Sequence, residues 1–145
     1  MSADKIGMLE YWTGSRHDYT FPRNVSFDSK LDTDLFEFAK EKTSVLAVEF
    51  SLNSKLMATL SKDRKIRMFD FLSGKITQTI DESLEVYSNI QQSTPQLANM
   101  EFGRRIAIEK DIERNEANQY SNLVFDESGL FLIYGSLLGV KSKHS

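Results

Sequence analysis

His17 and His144 are the only imidazoles in these 145 residues, and there is no cysteine. That composition removes disulfides, thiolate metal sites and a cysteine nucleophile. It leaves acid–base chemistry to two histidines without partners: His17 lies in a polar stretch and His144 next to the last residue, neither at metal spacing from a second donor. Neither is expected to be catalytic. Asp63, in Ser61-Lys62-Asp63-Arg64, stands where a turn carboxylate accepts backbone N–H groups, a structural role. Arg104 and Arg105, beside Phe102, could meet an acidic partner or a phosphate. Acidic neighbours make a solvated helix face the better reading, and the three are carried as possible partner contacts. No glycine-rich phosphate loop, paired catalytic carboxylates or Ser/His/Asp arrangement is present, so no catalytic, cofactor-binding or metal-ligating residue is assigned and no cofactor is expected.

These residues must be positioned by the stretch Ser44 to Ile80, four short apolar runs separated by three turn signals. Val45 to Phe50, Lys55 to Leu60, Lys65 to Phe71 and Lys75 to Ile80 read as an antiparallel meander, with Ser51-Leu52-Asn53-Ser54, Ser61-Lys62-Asp63-Arg64 and Ser73-Gly74 as its turns. Its length, close to the roughly 40 to 45 residues of a WD repeat, and its S-x-D-(R/K)-x-I-x-x-(aromatic)-D ending match one propeller blade. Phe69-Asp70 takes the place of the Trp-Asp pair. The pattern recurs. Val48 to Ser61 aligns without a gap on Leu123 to Ser136, so that Phe50 meets Phe125 and Ser54 meets Gly129, while Gly7 and Trp12 are spaced as Arg64 and Phe69 are. Trp12, Phe50, Asp63, Phe69 and Phe125 are therefore assigned as structural blade positions, Trp12 and Phe69 as inter-blade core.

With 40% hydrophobic and 27% charged residues the composition is that of a small soluble domain. A net charge of −3 gives no basic footprint and disfavours direct nucleic-acid binding or a polybasic membrane surface. No apolar run approaches a membrane span, and Met1 to Trp12 lacks the features of a signal peptide, so an intracellular soluble protein is expected.

In chain order, residues 1–14 read as the end of one blade and 15–43 as a long connection. There Leu31 to Lys40 suggests a helical turn or two, capped by Thr33 or Asp34. Residues 44–80 form a complete blade and 81–118 a helical insert. In the insert Ser83 opens a segment with Leu84, Tyr87 and Ile90 three apart, and Met100 to Arg114 forms a second helix in which Glu109 and Glu113 are like charges at i,i+4. Residues 119–145, with the strand pattern returning at Tyr120, form an incomplete blade. The fold expected is all-β, a partial WD-repeat propeller of about two blades with an inserted helical hairpin.

The segments DKxGMxEYWTG (Asp4 to Gly14), TDLFEFAK (Thr33 to Lys40), DRKIRMFxFxxGK (Asp63 to Lys75), DESL (Asp81 to Leu84), MEFGRR (Met100 to Arg105) and FDESGxFxxYGSxLGVK (Phe125 to Lys141) resemble the WD-repeat half of the peptidylprolyl isomerase domain and WD repeat-containing protein family, nuclear spliceosome-associated cyclophilins. The resemblance covers nearly the whole chain. It implies a nuclear location and spliceosomal protein partners, with no membrane and no small-molecule substrate. It also implies a parent isomerase whose cyclophilin domain lies outside this stretch. The chain is accordingly expected to be a non-catalytic interaction scaffold, with 15–43 and 81–118 as contact surfaces. The alternatives are a truncated fragment without independent function and a prolyl isomerase by family.

Overall fold

The computed structural model describes residues 1–115 and 122–145. Two short strands, β1 (Ser2–Ala3) and β2 (Leu9–Glu10), pair antiparallel across a turn in which Asp4 Oδ1 accepts the N–H groups of Ile6 and Met8 at 2.9 and 2.8 Å. Gly7 closes that turn at φ +94°, and a Cβ there would lie 2.4 Å from the Thr43 carbonyl oxygen. Only a residue without a side chain fits.

Next comes a meander of β3 (Val45–Phe50), β4 (Leu56–Ser61), β5 (Lys65–Asp70) and β6 (Lys75–Asp81), hydrogen-bonded in that order. Alternation along its strands makes two interiors, because successive side chains leave a strand on opposite faces. Met57 and Phe69 point to one, where Leu9 and Tyr11 meet Phe27, Leu35 and Phe38. Ala47, Ala58, Ile66 and Met68 point to the other. There they meet Leu123, Leu132 and Tyr134 of a three-stranded sheet, β7 (Leu123–Phe125), β8 (Phe131–Ser136) and β9 (Gly139–His144). Helix α1 (Glu37–Lys40) follows the 15–36 excursion, and α2 (Leu84–Ser93) and α3 (Asn99–Arg114) lie between β6 and β7.

The sequence repeat survives as matched register. Phe50 faces Met57 across its ladder as Phe125 faces Leu132, and the Ser51 N–H to Leu56 carbonyl bond has its counterpart from Asp126 to Phe131, both 3.0 Å. Ser54 and Gly129 both adopt left-handed backbone, at φ 55° and 69°. The surroundings of the two rings differ: Phe50 leans edge-on against Phe71 at 5.3 Å, whereas Phe125 packs on the second interior.

The expected partial WD-repeat propeller is corrected. Strands of the described residues assemble into sheets of two, four and three, a small β-rich fold in place of four-stranded blades arrayed about an axis. The physical reason lies in coverage: one face of the four-stranded sheet is closed by the 27–38 excursion and β2, the other by β7 and β8. Trp12, assigned to inter-blade core, is corrected too. It is 50% exposed, and its indole N–H donates to Ser2 Oγ at 2.9 Å. Phe69 is fully buried. Residues 1–14, expected as the end of one blade, hold two strands divided by the Asp4–Gly7 turn, and Asp34, offered with Thr33 as a helix cap, instead accepts the Ile76 N–H at 2.8 Å and so fixes the start of β6. The boundary between 118 and 119 and the return of strand pattern at Tyr120 lie outside the described residues.

Candidate functional site

Aromatic side chains are large, apolar and rigid, so a run of them that reaches the surface makes a seat for a ligand. Such a run begins in the first interior. Tyr11, buried, stacks on Phe71 at 4.7 Å and meets Phe27 edge-on at 5.7 Å, and Phe27 in turn meets Phe21 at 5.8 Å. Phe21 is 46% exposed, and with Trp12, Pro22, Val25 and Leu72 it lines a groove of about 910 Å³. The Tyr11 hydroxyl donates to the Phe71 carbonyl oxygen at 3.0 Å, and burial, then the charge of Asp70, push its pKa well above the usual phenol range. It anchors the groove floor as a neutral donor.

The groove wall is a compact loop. Ser15–His17 form a single 3-10 turn, the Thr13 N–H donates to the Thr20 carbonyl at 2.8 Å, and the Thr13 and Thr20 hydroxyls both donate to the His17 carbonyl at 3.1 and 3.0 Å. Asp18 and Tyr19, both at positive φ, reverse the chain, and the Ser26 N–H donates to the Leu72 carbonyl at 2.8 Å, tying the loop to the β5–β6 turn. Arg16, His17 and Arg23 stand on this wall.

Two charged clusters elsewhere hold the fold together. Arg67, 2% exposed, donates to Asp63 Oδ2 and Ser61 Oγ at 2.6 Å each and lies 5.0 Å over the Phe38 ring. Burial alone would raise the Asp63 carboxyl. The hydrogen bonds from Arg67, Ser61 and the Lys65 N–H outweigh it and hold the carboxyl below its ordinary value. In the second cluster Glu82 accepts from the Tyr87 hydroxyl, from the Tyr134 hydroxyl at 3.0 Å and from Lys141 Nζ at 2.9 Å. Lys141 also donates to the Tyr87 oxygen at 2.7 Å, so α2 is locked to β8 and β9. A second cavity, about 610 Å³, opens beside Arg64, but its guanidinium is already occupied by Glu109 and Glu113, at 2.8 and 2.5 Å.

Of the residues singled out in the sequence, Trp12 and His17 line the groove. Phe102, Arg104 and Arg105 are on α3, away from it. Arg105 donates to Glu101 at 2.9 Å and to the Leu137 carbonyl at 3.0 Å, and the Arg104 side chain is 76% exposed. His144 packs edge-on to Phe131. Tyr11, Phe21, Phe71, Leu72, Arg16 and Arg23 were not signalled by spacing. The cue available was Phe21-Pro22-Arg23, apolar and rigid residues in an otherwise polar connection. Among the described residues no cluster of His, Asp or Glu could hold a metal ion, and no helix is long and apolar enough to cross a membrane.

No protein-family model matches the chain. Among known proteins it is 50% identical over 141 residues to the peptidylprolyl isomerase domain and WD repeat-containing protein 1 of Mus musculus, covering 97% of this chain and 22% of that protein. It is 46% identical to the peptidyl-prolyl cis-trans isomerase cyp15 of Rhizopus delemar and 43% to CYP71 of Arabidopsis thaliana, again over 97% of this chain and 23% of each relative. The expectation of a non-catalytic scaffold is corrected on this finding, since relatives that align along nearly all of the chain are named as isomerases. The chain is thus similar, over 97% of its length, to proteins named for peptidyl-prolyl isomerase, and it spans less than a quarter of the length of these three.

Proposed function

We propose that the chain serves prolyl cis–trans isomerisation and that the aromatic groove is its seat for an X-Pro segment. The carrying observation is the groove itself, lined by the exposed Trp12, Phe21 and Leu72 together with the stacked Tyr11 and Phe71. Proline-rich segments carry little conformational entropy to lose, and aromatic-lined grooves recognise them by packing flat rings against the pyrrolidine. The names of the relatives supply the reaction. Desolvation in such a groove favours rotation, because the planar ground state of the amide is the more polar and better hydrated form.

The test is two-dimensional exchange NMR on a neutral X-Pro peptide with the purified chain. Isomerisation of the free peptide takes tens to hundreds of seconds. The expected result is shifted peptide resonances and faster exchange, both diminished by Trp12→Ala and by Phe21→Ala. Unshifted resonances with the free-peptide rate overturn the proposal. The nuclear, spliceosomal setting implied by the family resemblance belongs to the same reading: a tagged full-length relative should be recovered with spliceosomes from nuclear extract, and its confinement to the cytoplasm would refute that setting.

A further inference from the structure

Of the seven arginines in the sequence, five are matched to carboxylates: Arg64 to Glu109 and Glu113, Arg67 to Asp63, Arg104 and Arg105 to Glu101, and Arg114 to Asp111. Arg16 and Arg23 are the other two. Both stand on the wall of the aromatic groove, both are exposed, and among the described residues neither has an ion pair or a side-chain hydrogen bond. Asp18 is the one carboxylate on the same lining, so two guanidinium groups and a histidine face the groove against a single acid. This stands out in a chain of net charge −3, where the other five arginines are each matched to a carboxylate.

A guanidinium presents a planar fork of N–H donors that matches carboxylate and phosphate oxygens. Two such groups beside an aromatic seat supply what a bare proline ring cannot use. We propose that the groove selects proline segments that carry an anionic side chain adjacent to the proline, with Arg16 and Arg23 as the residues that set this preference. The inference rests on the groove being the proline seat, and it adds the class of segment that the groove takes.

The test is a titration of the whole chain with three peptides of one sequence, differing only in the residue before proline: glutamine, glutamate or phosphoserine. Exposed charge contacts of this kind raise affinity modestly, so the anionic peptides should bind about three- to tenfold tighter than the neutral one. Gain with both anions assigns the preference to charge, and gain with phosphoserine alone assigns it to the phosphate. In the Arg16→Gln/Arg23→Gln double variant, whose exposed positions leave the core untouched, the three Kd values should converge on that of the neutral peptide. Equal Kd values in the parent chain overturn the selectivity while leaving the proline seat in place. A preference that persists in the double variant removes it from these two arginines. Failure of all three peptides to bind removes the seat itself.

Discussion

Replacing Asp63 by alanine should cost the fold about 2 kcal/mol, a value between the ~3–5 kcal/mol of an abandoned buried charge and the ~0–1 kcal/mol of an exposed pair. Arg67 is 2% exposed and would keep its charge without the carboxylate 2.6 Å away. Its bond to Ser61 Oγ and its place over Phe38 remain, and the Asp63 side chain is itself 22% exposed, which moderates the loss. Removing both charges, in Asp63→Ala/Arg67→Met, should recover most of it, because no buried ion is left unpaired. Denaturant unfolding of the single and double variants measures both numbers. The same carboxylate makes stability depend on pH. A carboxyl held below its ordinary value contributes stability that is present above about pH 3.8, the unfolded value, and is lost as pH falls through the folded one, so Asp63→Asn should flatten the acid limb of the stability profile. A loss below about 1 kcal/mol for Asp63→Ala, or a double variant no more stable than the single, would refute a paired buried charge at this site.

Gly7→Ala should destabilise by at least about 2 kcal/mol, since φ is +94° and the new carbon would press on the Thr43 carbonyl, whereas Gly14→Ala, with open space around it, should not; thermal unfolding separates the two. Arg64→Gln should cost about 1 kcal/mol and speed amide exchange in α3, because Glu109 and Glu113 would then repel one another along the helix. Restoring that exchange by adding Glu113→Gln to the variant checks the repulsion. Tyr134 is pushed up to about 12 by burial and then by its hydrogen bond to Glu82. Its neutral form is favoured in the fold, so its stabilising contribution is complete below pH ~10 and fades as pH rises towards 12. Phenolate absorbance during base titration should include a tyrosine titrating in that upper range beside the raised Tyr11 and Tyr87, and Glu82→Gln should bring the Tyr134 titration down.

Local chemistry was legible where it is local. The strands from Val45 to Ile80 follow from alternation and from turn residues, and the match of Ser54 to Gly129 carried through to a shared left-handed backbone. Ser83 and the three-residue spacing of Leu84, Tyr87 and Ile90 marked α2 from its N-cap, and the structure has the Ser83 hydroxyl accepting from Val86. What spacing could not show is which neighbour covers which face. The repeat suggested identical modules shielding one another, yet Phe27, Leu35 and Phe38, from a stretch without periodicity, close one side of the central sheet. Trp12 read as core for the same reason: an aromatic at a repeat position carries no mark of what lies opposite. Glu109 and Glu113 looked like a flaw in α3 and are instead the two arms that grip Arg64, a partner 45 and 49 positions earlier. The groove depends on the meeting of the 11–25 loop with Phe71 and Leu72, a long-range contact that no window of sequence contains.

Helix α3 spans sixteen residues, and none of its side chains is buried. Its tethers to the rest of the protein include Arg64 gripping Glu109 and Glu113, and Arg105 reaching the Leu137 carbonyl. Attachment of this kind answers to ionic strength in the opposite sense to the two interiors: at molar salt the screening length contracts to about 3 Å and the grip loosens, while apolar packing holds. Among the described elements α3 is therefore the one expected to loosen first as salt rises, while both interiors stay packed.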